Sequence, residues 1–409
     1  MQNTANAAGT DGLELVDTAP MIEDLYPALA ALREAGPVHR IAGTDGRPAW
    51  LVTRYEDVRQ LFADPRLALD KRHAAPGNFS GFALPPALDR NLLNMDPPDH
   101  TRVRRLVVKA FTPGRVEKMR EPVRRIADEL LDAIEADGRA DLLAAYAGQL
   151  PIIVICDLLG VPQQDRRDFR AWSDALITPD PARPGAAKEA VGSMLRFYTG
   201  LIATKRAEPG DDLLSDLIRV RDDESGDGDD RLTEDELTSL AFLILLAGYE
   251  NTVHLIANSV LTLLDHPQVL QELREDPGGL PAAFDELARY EGPASLAIRR
   301  FPLEDIEIGG VTIPAGETVL LSTASAHRDP AHFQDPDVFN PHLGRSGHLA
   351  LGHGIHYCLG APLARMETET ALAALLRRFP GLRLDVPRER LRWRPSIRAR
   401  GLISLPVAW

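Results

Sequence analysis

From Thr233 to Asp265 no proline interrupts the chain. The run opens on Thr233-Glu-Asp-Glu236, a hydroxyl followed by acidic first-turn residues, which is a helix-start signature. A helix of that length spans roughly 50 Å at about 1.5 Å per residue, enough to cross a whole domain. Any fold of this chain must be built around such an element. Inside it lies Ala247-Gly-Tyr-Glu250-Asn251-Thr252. A glycine and a carboxylate in the middle of an apolar helix are costly. Costs of that kind mark a bulge or a functional site.

A second stretch, His348 to Arg365, holds Cys358, one of only two cysteines. Gly352, Gly354 and Gly360 surround it, with His348, His353 and His356. Gly352 and Gly354 permit tight turns and close backbone approach. Beyond Cys358 the pattern turns helical, with Pro362 near the first turn. Cys358 is therefore expected where a loop feeds a helix N-terminus, a setting that stabilises a thiolate. Three readings fit those residues: a buried structural cysteine, zinc or copper held by His353, His356 and Cys358, or a thiolate-ligated haem.

Of 409 residues, 26% are charged, and Asp and Glu outnumber Lys and Arg by 60 to 46. The net charge of −14 disfavours nucleic acid as a partner, because phosphate binding needs a large basic surface. Cys156 and Cys358 carry no disulfide signature, which suits a reducing cytoplasm. No signal peptide or membrane anchor is expected, since Met1 to Val16 lacks a basic n-region and no run of about 20 apolar residues occurs.

The rest divides into segments. Residues 1–20 are expected to be a disordered tail, and 21–409 a single domain. Helical patterning covers Tyr26–Gly36 and Asp57–Ala63, with a hairpin within Val38–Tyr55 between them. Leu67–Leu93 reads as a long loop. His100 and Arg104 share one helical face. A helix follows Pro113-Gly114, with Pro122 expected near the first turn of its main part. Asp141–Gly160 reads as a buried apolar helix with Cys156 in the core. Asp165–Ile177 and Lys188–Glu208 are helical and joined by the proline-rich Thr178–Gly185. Asp222–Asp230 reads as a solvated acidic loop. Glu286 and Arg289 stand i, i+3 on one helix face, a weak signal alone. Glu307–Leu321 alternates as sheet.

Taken together, these motifs resemble the cytochromes P-450. The family's loop Phe-Gly-x-Gly-x-His-x-Cys-x-Gly stands here as Leu351-Gly-His-Gly-Ile-His-Tyr-Cys358-Leu-Gly360, departing only at Leu351. Ala247-Gly-Tyr-Glu250 matches the family's oxygen-binding helix, but Asn251 occupies the place of its threonine and Thr252 follows. Glu286-Leu-Ala-Arg289 matches the structural pair. A basic residue usually follows in a Phe-x-Pro-x-Arg run, where this chain has Leu343 and where His342 or Arg345 could substitute.

The resemblance implies a mainly α fold with small β-sheets, a triangular prism around a long central helix. It implies haem b with Cys358 as iron ligand. His100, Arg104, Arg300 and His356 would hold the propionates, Leu351, Gly352 and Gly360 the loop, and Ala247 and Gly248 the oxygen site. Glu250, Asn251 and Thr252 are the candidate proton relay. Leu243, Ala247, Leu296, Ala297, Ile298, Ile397 and Arg398 are candidates for the substrate pocket, with Ser295 beside them and the Arg394–Leu402 segment forming a hairpin whose tip enters it. Electrons would come from NAD(P)H through a separate [2Fe–2S] or similar ferredoxin and its reductase. Arg102, Arg105, Lys109 and Arg345 are candidates for the basic patch that steers this acidic partner. The expected protein is a bacterial monomer that inserts one atom of O2 into a largely apolar molecule. The sequence looks most like actinomycete enzymes that tailor macrolide-like secondary metabolites. A haem-thiolate ligand or gas sensor, and a peroxide-driven or coupling enzyme, are the alternatives.

Overall fold

The computed structural model describes residues 15–43, 46–78, 84–177, 183, 185–222, 231–344 and 347–409. Two compact units emerge. One comprises the described residues of Met1–Phe82, Ala288–Cys358 and Arg394–Arg400; the other those of Ala83–Leu287, Leu359–Trp393 and Gly401–Trp409. The acidic Asp222–Asp230 loop beyond Asp222, most of the Thr178–Gly185 linker, Arg345 and residues 1–14 lie outside the described residues.

The first unit holds most of the β-structure. Strands Val38–Ala42 and Pro48–Val52 pair antiparallel as the expected hairpin. Val319–Leu321 joins them in parallel, a long-range pairing that local alternation does not announce. Ile306–Ile308 and Val311–Ile313 form a second hairpin. Leu67–Ala68 pairs with Phe301–Pro302, so the long loop begins as an edge strand. Two apolar clusters pack around the three-stranded sheet. One gathers Trp50, Tyr55, Val58, Phe62, Val319, Phe333 and Leu349. The other gathers Leu25, Leu29, Ile41, Leu51, Leu296, Leu320 and Ile397. Order starts earlier than expected: Val16 pairs with Ile41, and Ala19–Glu23 is helical.

The second unit is a helical assembly around Glu234–Asp265, which forms as one unbroken helix. Thr233 and Glu236 close a reciprocal capping box at its start. Leu150–Leu159, Ala186–Ala207 and Ala361–Arg378 pack against it. By length and apolarity this helix could cross a membrane, but most of it is buried here as a core element. Pro113–Glu135 begins at Pro113 under a Thr112 cap, so Pro122 lies inside the helix rather than near its start. Arg139–Asp141, Arg383–Leu384 and Pro406–Ala408 form a small sheet. Leu213–Asp222 and Pro267–Glu275 are helices that periodicity did not single out.

Candidate active site

The cysteine loop belongs to the first unit. Gly352 (φ 78°) and Gly354 (φ 74°) both take the left-handed backbone that glycine alone adopts cheaply. At Gly354 space also decides. A Cβ there would stand 3.2 Å from the Phe62 carbonyl oxygen and the Ala63 Cα, so the loop lies directly on the helix Tyr55–Ala63. Gly354→Ala should cost about 1–3 kcal/mol of stability, measured as a lower denaturation midpoint. Gly360 needs no such freedom; it caps the helix Ala361–Arg378, with Pro362 in the first turn as expected.

Within the loop the Cys358 N–H donates to the Leu351 carbonyl at 2.8 Å, and the Gly352 N–H to the Leu349 carbonyl at 2.9 Å. Leu351 thus fixes the cysteine through its backbone, whatever its side chain. Cys358 is half-buried, whereas Cys156 is sealed in the core and burial pushes its thiol up to about 12. Among the described residues, His353, His356 and Cys358 do not gather as a three-ligand metal group.

Arg300 is buried, with its guanidinium 4.7 Å from the Phe62 ring and a 3.0 Å bond from Nη1 to the Ile298 carbonyl. Arg289 is also buried. Its Nη1 donates to the carbonyls of His327 (2.7 Å) and Pro336 (2.8 Å), and Nη2 reaches Val338 (3.4 Å). The arginine therefore clamps the segment 327–338. Leu343, at the usual arginine position, is half exposed. Leu296 and Ile397 are core residues; Ala297 and Ile298 are half-buried. The Arg398 carbonyl accepts from Ser295 and Leu296, while its side chain is exposed, the outcome that the cost of burying a cation favours.

In the second unit the long helix is buried from Glu236 to Leu263 except between Leu243 and Asn251. There Ala247 and Asn251, one turn apart, are exposed, and Leu243, Gly248 and Glu250 are half-buried. No bulge accompanies Gly248. A Cβ on it would lie 3.3 Å from Ile155, so close packing of two helices contributes to the choice of glycine. Thr252 is buried, as a rotation of about 100° from Asn251 requires. The Asn251 amide donates weakly to the Ala247 carbonyl at 3.4 Å.

His100 and Arg104 lie on the helix Asp99–Ala110, with His100 buried. Burial, then the neighbouring Arg104 cation, lowers the His100 pKa to about 4. Below pH about 6.5 the unfolded chain takes up a proton that the folded one refuses, so stability falls as pH drops from there toward 4. The haem-free protein should lose up to roughly 3 kcal/mol over that window, read from urea midpoints, and His100→Gln should flatten the slope. Arg102 is not a free member of a basic patch, because its guanidinium is held by Glu236 and the Arg231 carbonyl. Arg105 and Lys109 remain exposed.

Sequence reasoning missed His327. It sits in a His-Arg-Asp-Pro run with no periodicity to single it out, and His327, Arg328 and Asp329 are all buried.

The Cytochrome P450 family model matches residues 185–277 and 280–394. Cytochrome P450 monooxygenase PikC of Streptomyces venezuelae is 47% identical over 94% of this chain and 91% of its own length. 6-Deoxyerythronolide B hydroxylase of Saccharopolyspora erythraea is 44% identical over 94% of this chain and 96% of its own. The ligand-free P450 monooxygenase TamI superposes with a TM-score of 0.87 at 43% identity, covering 97% of this chain and 94% of that one. The chain belongs to the cytochrome P450 family and is a monooxygenase of it; such enzymes carry haem iron and draw electrons from redox partners.

Proposed function

We propose that this chain hydroxylates or epoxidises a largely apolar, macrolide- or polyketide-like small molecule in the cytoplasm, as a monomer and as one domain. The observation that carries the reading is the half-buried Cys358 on its positive-φ glycine loop, when the other thiol is locked in the core. The donors of the first unit have the chemistry that haem b requires: a half-buried thiol at Cys358, a buried cation at Arg300 and an imidazole at His356; the family resemblance adds His100 and Arg104. Bound through Cys358, the haem would supply oxygen activation, because a thiolate ligand pushes electron density that favours O–O cleavage. Arg104 and Arg300, with His100 and His356, would hold its carboxylates by charge-assisted bonds. Leu243 and Ala247 border the stretch of the long helix that is not buried and would offer apolar surface to such a substrate. Electrons are proposed to travel from NAD(P)H through a reductase and a [2Fe–2S] ferredoxin, with Arg105 and Lys109 as steering charges.

The test is reconstitution with a surrogate ferredoxin, its reductase and NADPH, offering macrolactones alongside other polyketides and unrelated apolar molecules. The expected result is a spin-state shift on titration and a product heavier by one oxygen atom. Ligand-induced shifts with no NADPH consumption would mark a binding protein instead. Coupled products without added oxygen would mark oxidative coupling.

A further inference from the structure

We infer that His327 is a positioning residue for Cys358: its imidazole, as the Nδ1–H tautomer, holds the start of the cysteine loop in place. The inference rests on the haem-thiolate reading above. The backbone N–H of Leu349 points at His327 Nε2 at 2.8 Å. An amide N–H can only donate, so Nε2 accepts and the ring proton is on Nδ1. His327 is buried, and desolvation holds its pKa well below the usual histidine range, which keeps Nε2 available as an acceptor.

The contacts form a continuous chain. Arg289 donates to the His327 carbonyl, fixing the residue from its backbone side. The His327 ring receives Leu349. The Leu349 carbonyl receives Gly352, and the Leu351 carbonyl receives Cys358. The Leu349 side chain is anchored beside Tyr55, Phe62 and Phe333. Two residues earlier, Tyr55 Oη donates to the Gly347 carbonyl at 2.5 Å. The loop is thus tied at its entry by one histidine and one tyrosine, while the cysteine is held at its exit by the loop's own backbone. A structural arginine 69 positions upstream of Cys358 acts on the thiolate through this histidine.

His327→Phe keeps the ring's bulk and removes the acceptor, leaving the Leu349 N–H buried and unpaired. His327→Gln can restore an acceptor near the Nε2 position. Leu29→Ala, in the other cluster of the same unit, serves as a control for general destabilisation. In the haem-free protein, exchange of the Leu349 amide should speed up about tenfold or more in His327→Phe and return to near wild type in His327→Gln. In the haem-loaded protein, the thiolate-type Soret band of the reduced carbon monoxide complex should decay at least about tenfold faster in His327→Phe than in Leu29→Ala, with rescue by His327→Gln. Decay no faster than in the Leu29→Ala control, or no rescue by glutamine, overturns the inference. If the Phe variant does not fold, nitrogen NMR of the wild-type ring decides: a proton on Nε2 rather than Nδ1 overturns the inference. Loss of the haem-thiolate reading itself would appear elsewhere, as a thiolate band that survives Cys358→Ala.

Discussion

Cys358→Ala is expected to abolish the red-shifted Soret band of the reduced carbon monoxide complex completely, and Cys156→Ala to leave it unchanged. The two thiols have opposite surroundings. Cys156 lies in the apolar helix Leu150–Leu159, 2% exposed, and burial pushes its pKa up to about 12. A thiol there acts as a small hydrophobe and cannot supply a thiolate at neutral pH. Its loss removes one buried atom's packing and should cost about 1 kcal/mol of stability. Cys358 is half-buried on a loop whose two glycines hold left-handed φ and whose cysteine N–H is bonded within the loop. The backbone geometry survives truncation of the side chain, so Cys358→Ala should still fold and melt within a few degrees of wild type. Spectral loss in a folded variant is then a statement about ligation. A thiolate band persisting in Cys358→Ala would refute the assignment, and its disappearance in Cys156→Ala alone would move the ligand to the wrong helix.

What the sequence made legible was local chemistry with a fixed period. The capping box at Thr233, the unbroken helix beyond it, the hairpin at Val38–Val52 and the helix start after Cys358 all follow from residues within a few positions of one another. Leu213–Asp222 and Pro267–Glu275 were passed over because each is only 9 or 10 residues long and rich in charge, which blurs a 3.6-residue pattern. The parallel strand Val319–Leu321 and the sheet joining Arg139–Asp141 to Pro406–Ala408 depend on partners more than 200 residues away, which no window can contain.

The candidate site divides along the same line. Cys358, Gly352, Gly354, Ala247 and Asn251 were visible as motifs, because their chemistry requires a spacing. His327 was not, because its meaning lies in Arg289 on one side and Leu349 on the other. Arg328 and Asp329 repeat the lesson. Arg328 bonds the Tyr290 carbonyl and stacks between the rings of Tyr26 and Tyr290; Asp329 accepts the Tyr55 N–H. A polar run reads as a solvated turn until its long-range partners are known, and burial without those partners would cost several kcal/mol. Arg102 failed in the opposite direction. Its charge suggested an exposed patch, yet it is consumed by Glu236 at the start of the long helix.

Asn251→Ala should divert most of the electron flow from product to hydrogen peroxide, while NADPH consumption continues. The family resemblance implies a hydroxyl at this position that helps deliver protons to the reacting oxygen. Here the neighbouring Thr252 cannot substitute, because it is buried and rotated about 100° away from the exposed face that carries Ala247 and Asn251. The amide of Asn251 both donates and accepts but is not a proton acid near neutral pH. Its present bond to the Ala247 carbonyl is long, 3.4 Å, so little is lost when the amide turns to a water or a substrate hydroxyl. Glu250 is the one ionisable group of the three, and a bridge through the amide would let its carboxyl serve as the proton source. Glu250→Gln keeps the shape and removes the proton, so turnover should fall about a hundredfold, the usual size of a lost general acid. The two variants should differ in kind: Glu250→Gln slows the reaction, and Asn251→Ala spoils its coupling. Asn251→Thr should recover coupling, since its hydroxyl both donates and accepts hydrogen bonds on the same exposed face. The decisive measurement is the ratio of product to NADPH consumed. If Asn251→Ala keeps that ratio at the wild-type value with the native substrate, the amide merely fills space and the relay through it does not exist.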